Sequence, residues 1–253
     1  MTAPVLPGAE PFSAEGGPVG ALVLHGFTGS PASLRPIAEA LANVGLTVEL
    51  PLLPGHGTSV ADMVETTWSD WASVAQKAFG ELASRCTTVA VVGLSMGGTL
   101  ALQLAELDPE IAGLVLVNPL VEPSDPTLRQ GLADLLAAGT TVMDAIGSDI
   151  AIPGVTELSY DETPLAPLLS LFDGVDEVAS GLDRVRCPVL LLSSRQDHVV
   201  PPTSGDFLMK AVGGPCERVW LERSYHVATL DYDRDEVTSR TVDFVARVTS
   251  AAP

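Results

Sequence analysis

Short, nearly continuous apolar runs alternate with longer segments of helical spacing along the first half of the chain. The apolar runs predict strands at residues 19–24, 47–53, 89–94 and 113–118. The segments between them predict helices at residues 31–44, 62–83 and 96–107, with Ser30 as the N-cap of the first helix. Strands without polar alternation are typical of a parallel sheet that helices cover on both faces. The pattern therefore predicts an α/β fold.

This alternation breaks at residues 119–180, where five further prolines follow Pro119. Two amphipathic segments, 128–138 and 165–172, lie in this stretch, and neither is followed by a clear strand. We predict a small helical cap at residues 119–180, inserted into a core formed by residues 1–118 and 181–253. The core pattern then resumes with strands at 189–193 and 218–221 and helices at 204–212 and 235–248.

Composition narrows the class of protein further. The chain has 253 residues, 46% of them hydrophobic, which is enough apolar material for one large core without disulfide or metal staples. Its net charge of −19 disfavours nucleic acids and anionic membrane surfaces as partners. No apolar stretch is long enough to span a bilayer, and no basic and apolar leader opens the sequence. The three cysteines are odd in number and show no metal-type spacing, and together these features lead us to expect a cytoplasmic protein.

The strongest chemical motif is Gly-Leu-Ser-Met-Gly at residues 93–97, between a predicted strand and a predicted helix. A Gly-x-Ser-x-Gly turn in this context lifts the serine hydroxyl above the sheet edge, and its glycines avoid clashes in the tight turn. We therefore predict Ser95 as a nucleophile. A plain glycine-rich turn is the alternative reading.

A serine hydroxyl needs a base, and the base needs an acid that orients it. His226 follows the last predicted strand and Asp197 follows the strand at 189–193, so both are expected at the same sheet edge as Ser95. We predict a Ser95–His226–Asp197 triad. The alternatives are a surface histidine and a turn aspartate. His198 is expected to be a neighbour of the acid, and the carboxylates Asp173, Asp176 and Asp183 are poorer acids because they precede the strand.

The backbone N–H groups of Phe27 and Met96 are predicted to form an oxyanion hole beside Ser95. His25 and His56, in glycine-rich loops, are expected to brace those loops by hydrogen bonds. No phosphate-binding, dinucleotide-binding or zinc-protease motif is present, so neither a cofactor nor a metal is implied.

At these motifs the sequence resembles the bacterial carboxylesterase and monoacylglycerol lipase family of α/β-hydrolases. The resemblance extends over roughly residues 18–248 and is carried by the motifs at 25–31, 55–58, 93–99, 197–202 and 224–233. Residues 147–149 and 157–160 within the predicted cap are also similar to monoacylglycerol lipases of this family. Residues 123–138 depart from the family pattern, which leaves the shape of the lid open.

The resemblance implies an α/β-hydrolase fold and the same triad. It also implies a small lid over an apolar acyl tunnel and hydrolysis of monoacylglycerols or simple esters that carry an apolar acyl chain. Glu157 falls on the family position that contacts the glycerol hydroxyls; a solvated cap residue is the alternative. A short- or medium-chain carboxylesterase or a thioesterase would keep the same triad, and a non-catalytic ligand-binding relative is a further alternative. The sequence does not indicate the oligomeric state.

Overall fold

A seven-stranded sheet forms the centre of the protein. The computed structural model describes residues 3–250. The sheet has the order β1-β3-β2-β4-β5-β8-β9, and only β1 runs antiparallel to its neighbour. Its strands are β1 (Phe12–Ala14), β2 (Val19–Leu24), β3 (Thr47–Leu50), β4 (Thr88–Leu94), β5 (Gly113–Val117), β8 (Val189–Ser194) and β9 (Cys216–Leu221). The mostly parallel sheet that the apolar runs predicted is confirmed.

Helices cover both faces of this sheet. In chain order they are α1 (Arg35–Asn43), α2 (Val60–Val64), α3 (Trp68–Ala83), α4 (Met96–Leu107), α5 (Pro126–Ala137), α6 (Leu165–Ala179), α7 (Thr203–Ala211) and α8 (Arg234–Ser250). Alternate residues of each strand enter opposite cores. Leu22 and Val91 pack with Trp71 and Leu100 on one face, whereas Val23 packs on the other. Helices α1 and α8 cover that second face through residues such as Ile37 and Phe244.

Two predicted helices differ from the observed ones for identifiable reasons. The helix predicted at 31–44 is a 3₁₀ helix at Pro31–Ser33 followed by α1 from Arg35, because Pro36 is compatible only with a first helical turn. The Ser30 hydroxyl caps no helix; it donates to the Leu158 carbonyl at 2.9 Å. The helix predicted at 62–83 is two helices, since Thr67 is extended and donates its N–H to the Asp70 carboxylate, which starts a new helix.

The observed sheet also differs from the predicted one in its outer strands. The three-residue strand β1, which the sequence pattern did not predict, forms the edge of the sheet and pairs with residues 48–50 of β3. Strand β3 ends at Leu50, three residues before the predicted end, and β9 begins two residues earlier than predicted, at Cys216.

The region between β5 and β8 was predicted to be helical without a clear strand, and this was wrong in one respect. Residues Val142–Asp144 (β6) and Glu162–Pro164 (β7) form a small antiparallel pair between helices α5 and α6. Leu132, Leu165 and Phe172 form a separate small core there, while Val175 of α6 joins the main core. The division into a core and a cap at residues 119–180 stays a prediction.

Candidate active site

Ser95 lies in a strained turn between β4 and α4. Its backbone has φ 54° and ψ −118°, a conformation that non-glycine residues rarely adopt. A Cβ added to Gly93 would lie 2.3 Å from the Gly97 carbonyl oxygen, and one added to Gly97 would lie 2.0 Å from the Leu24 carbonyl oxygen. Both glycines are therefore required for the turn that presents the Ser95 side chain at the carboxyl edge of the sheet.

Two further loops leave the same edge. The 195–202 loop follows β8 and carries Asp197, and the 222–233 loop follows β9 and carries His226. Nδ1 of His226 lies 2.8 Å from Oδ2 of Asp197. Both side chains are nearly inaccessible to water, with 9% of the His226 and 2% of the Asp197 side chain exposed. The structure thus brings together the predicted acid and base, which are 29 residues apart in the chain.

The hydrogen bonds of Asp197 determine which ring nitrogen of His226 carries the proton. Oδ1 of Asp197 accepts the backbone N–H groups of Val199 and Val200 at 2.9 and 2.7 Å, which leaves Oδ2 for the imidazole. An ionised carboxylate can only accept, so Nδ1 of His226 must be the donor. The other ring nitrogen, Nε2, then carries the lone pair that a general base needs.

The predicted oxyanion donors are adjacent to Ser95. Met96 is the first residue of α4, and the turn at Gly26 approaches so closely that an added Cβ would lie 3.5 Å from the Ser95 Cβ. Phe27 follows Gly26 and lines the same cavity as Ser95. Within residues 3–250, the N–H groups of Phe27 and Met96 donate no hydrogen bond to the protein. These two donors are therefore available to a ligand oxygen.

A cavity of about 340 Å³ opens over these groups. Its wall includes Ser95, His226 and Glu157, and its remaining lining is largely apolar, with Leu132, Leu168, Leu171 and Phe172 among the side chains. This size and mixture are typical of a small-molecule site. A larger, open groove of about 830 Å³ lies at the opposite edge of the sheet, and none of the predicted site residues line it.

Glu157 is held in this cavity close to the catalytic candidates. Its backbone N–H donates to the Ser148 hydroxyl at 2.7 Å, and its Oε1 lies 2.8 Å from the position of a Cβ added to Gly29. Burial raises the pKa of the Glu157 carboxyl, while the nearby His226 and the Ser33 hydroxyl oppose that rise. Glu157 is thus a partly buried residue whose carboxyl group lies in the cavity wall.

The other three histidines have structural surroundings. His25 is fully buried; its Nδ1 bonds the Gly26 carbonyl at 3.0 Å and its Nε2 accepts the Leu53 N–H at 3.2 Å. His56 is also buried, and its Nδ1 bonds the Pro54 carbonyl at 3.0 Å. His198 is half-exposed and bonds Asp149, not the nucleophile. These contacts agree with loop-bracing roles for His25 and His56.

Sequence reasoning assigned no role to Asn118 or to Asp233, although Asp233 lies in the motif at 224–233. Asn118, at φ 44°, donates to the His226 carbonyl at 2.7 Å and accepts the Ser194 N–H at 2.7 Å, so it joins the ends of β5 and β8 to the 222–233 loop. Asp233 accepts the N–H groups of Arg223 and Ser224 inside the same loop. The position of Asn118 at the end of a buried strand was the available sequence signal.

Within the described part of the chain, no group of three or more histidine, cysteine or acidic side chains is arranged to hold a metal ion. None of the helices in that part is both long and apolar enough to cross a membrane.

Comparison with known proteins decides the family. Residues 21–240 match the model of the alpha/beta hydrolase family. The chain belongs to this family. It is 47% identical to a thermostable monoacylglycerol lipase from Bacillus sp. (strain H-257), over 96% of this chain and 97% of that protein. It is 28% identical to a carboxylesterase from Bacillus subtilis (strain 168), over 94% of this chain and 97% of the relative.

Among solved structures, one described under LipS and LipT, two metagenome-derived lipolytic enzymes, superimposes on this chain with a TM-score of 0.92. It is 41% identical and covers 96% of this chain and 100% of its own length. The predicted α/β-hydrolase fold is confirmed, and this α/β-hydrolase is a homologue of carboxylic ester hydrolases, as the motifs predicted.

Proposed function

We propose that this α/β-hydrolase cleaves monoacylglycerols to glycerol and a fatty acid through an acyl-enzyme on Ser95. The observation that carries the proposal is the buried Asp197–His226 hydrogen bond at the cavity that also contains Ser95. The 47% identity to a monoacylglycerol lipase over nearly the full chain supports this substrate class.

In the first half of the cycle, the Ser95 oxygen attacks the ester carbonyl while Nε2 of His226 takes the hydroxyl proton. The Asp197 carboxylate stabilises the imidazolium that forms. The N–H groups of Phe27 and Met96 donate to the oxyanion, and losing one such donor typically costs about 3 kcal/mol of transition-state stabilisation. His226 then gives its proton to the glycerol oxygen as the carbon–oxygen bond breaks.

In the second half, a water molecule loses a proton to His226 and attacks the acyl carbonyl. Collapse of the second tetrahedral intermediate returns the proton to Ser95 and releases the fatty acid. The apolar side chains of the cavity take up the acyl chain, and each buried methylene contributes about 0.8 kcal/mol before entropic costs. The net charge of −19 favours departure of the anionic product.

The first test is hydrolysis of a p-nitrophenyl acyl ester and of a monoacylglycerol by the wild-type chain and by Ser95→Ala. We expect turnover of both substrates and its loss in Ser95→Ala. Ser73→Ala, an exposed serine on α3, is the matched control and should behave like the wild type. Absence of wild-type turnover across acyl lengths would refute the proposal.

Glu157 is proposed to accept hydrogen bonds from the glycerol hydroxyls. Glu157→Gln keeps one acceptor oxygen but turns the other into an NH₂ donor, so the loss of one hydrogen bond, about 1 to 1.4 kcal/mol, should raise the KM for a monoacylglycerol about five- to tenfold. The kinetics with a p-nitrophenyl ester, which has no glycerol, should stay within twofold. An equal effect on both substrates would contradict this role.

A rate profile separates the proposal from a general carboxylesterase or thioesterase. The enzyme should hydrolyse monoacylglycerols and react slowly with triacylglycerols, because a narrow cavity of about 340 Å³ rejects a bulky glyceride backbone. Faster cleavage of triacylglycerols, or of thioesters of the same acyl chain, would assign a different substrate class.

A further inference from the structure

Three side chains outside the proposed triad converge where the cap meets the 195–202 and 222–233 loops. They are Asp149, which lies between β6 and β7, His198 and Asp231. Among them Asp149 contacts both loops that carry the proposed acid and base. Its side chain is only 9% exposed, and no lysine or arginine forms an ion pair with it among the described residues.

Asp149 divides its two oxygens between the two loops. Oδ2 accepts the backbone N–H of His198 at 3.1 Å and the backbone N–H of His226 at 3.0 Å. Oδ1 lies 2.7 Å from Nδ1 of the His198 ring, and the Asp149 carbonyl accepts the N–H of Val227 at 3.1 Å. A single cap residue therefore fixes the backbone of the residue after Asp197 and of His226 itself.

Asp231, a residue of the core, accepts hydrogen bonds from the cap. It is fully buried, and its carboxylate accepts N–H groups from Ala151 at 2.7 Å and Ile152 at 3.2 Å, both in the cap. It also accepts the N–H of Tyr225 at 2.8 Å, directly before His226. Buried carboxylates are costly unless every oxygen is satisfied, and here backbone amides satisfy both.

We propose that Asp149 and Asp231 are positioning residues that make the cap a structural part of the catalytic Asp–His pair. This proposal rests on the proposed function, in which Asp197 and His226 are the acid and base. The cap loop at residues 149–152 cannot move away from the core without breaking the hydrogen bonds that Asp149 accepts from the His226 N–H and that Asp231 accepts from Ala151 and Ile152. Catalytic geometry tolerates little displacement, since a shift of about 1 Å can cost about 100-fold in rate.

The hydrogen-bond pattern predicts opposite responses to the same substitution at the two positions. In Asp149→Asn, the amide oxygen can accept both N–H groups that Oδ2 accepts, and the amide NH₂ can face Nδ1 of His198 as a donor. In Asp231→Asn, both carboxylate oxygens face backbone N–H donors, because Oδ1 also accepts the Tyr232 N–H at 2.8 Å. In Asp231→Asn, the two backbone N–H groups on one side must then face the side-chain NH₂ group, which is also a donor and cannot accept their hydrogen bonds.

The kinetic test compares kcat and KM for a p-nitrophenyl ester in Asp149→Asn, Asp149→Ala and Asp231→Asn. We expect kcat to stay within threefold in Asp149→Asn and to fall at least tenfold in the other two, with KM within twofold throughout. The exposed cap residue Asp134 supplies a charge-matched control, Asp134→Asn, which should match the wild type. Folded Asp149→Ala with kcat within twofold of the wild type would overturn the proposal.

A second variant and a second readout cover the other outcomes. If Asp149→Ala does not fold, Asp149→Glu keeps the charge but moves the carboxylate by one methylene, and its kcat should also fall at least tenfold; an unchanged kcat would refute the positioning role. The low-field proton NMR signal of the His226 Nδ1–H, assigned by its loss in Asp197→Ala, should persist in Asp149→Asn and disappear or shift in Asp149→Ala. This signal needs no substrate, so failure of the esterase proposal and failure of the positioning role give different results.

Discussion

Replacing Asp197 with asparagine tests the proposed acid–base pair most directly. Oδ1 of Asp197 accepts two backbone N–H groups, at 2.9 and 2.7 Å, so the asparagine oxygen must occupy that position. Its NH₂ group then points at Nδ1 of His226, 2.8 Å away, and can only donate. The imidazole must therefore carry its proton on Nε2, and a protonated Nε2 can no longer accept the Ser95 proton.

The expected cost follows from losing the base while the fold stays intact. The equivalent substitution in a chymotrypsin-type triad lowers kcat by about 10⁴, and we expect a loss of 10³ to 10⁴ here, or about 4 to 5.5 kcal/mol of activation free energy. Steady-state hydrolysis of p-nitrophenyl butyrate measures kcat, and thermal unfolding checks that Asp197→Asn remains folded. A folded variant within tenfold of the wild type would show that Asp197 does not orient the base.

Three further predictions concern stability. Burial lowers the pKa of His25 from 6.5 to about 4, so the unfolded chain binds a proton more readily than the native protein at mildly acidic pH. The free energy of unfolding should therefore fall as the pH drops from about 6.5 to about 4, by about 2 kcal/mol between pH 7 and pH 5 for this residue alone. The urea midpoint of His25→Gln should depend less on pH than that of the wild type. An unchanged pH dependence would contradict the lowered pKa of His25. Gly97→Ala should abolish the folded, active protein, because its Cβ would lie 2.0 Å from a backbone oxygen. Gly131→Ala on helix α5 meets no atom within 4 Å and should raise the stability by about 0.5 to 1 kcal/mol in the same urea titration; an equal response of the two glycines would refute the steric argument.

The central sheet and the candidate triad could be predicted because both follow from strand ends. Parallel strands bring their carboxyl ends to one edge, so the residues after 94, 194 and 221 were expected at that edge, and the chain order serine, acid, histidine selected Asp197 and His226. The turn at Ser95 also has a recognisable sequence pattern, Gly-x-Ser-x-Gly between a strand and a helix. The pairing of Asp197 with His226 followed from these two constraints.

The features that were missed depend on tertiary contacts that leave little trace in the pattern. Strands β1, β6 and β7 have three residues each, too few for a period to be recognised. The apolar spacing runs on through residues 62–83, but the Thr67–Asp70 capping interaction divides the helix. Asp149 and Asp231 are acidic residues in a chain with 32 of them, so composition suggests solvated side chains where the structure has buried acceptors of backbone N–H groups.

The strand order has a consequence for inactivation by heat. Ser95 follows β4, which has a neighbour on each side, whereas His226 follows β9, which pairs with β8 alone at the margin of the sheet. Outer elements open more readily than central ones, and such local opening is visible as amide hydrogen exchange. We therefore expect β9 and the residues after it to exchange before β4 on warming. Hydrolytic rate should decline below the temperature at which far-ultraviolet circular dichroism reports loss of the helices.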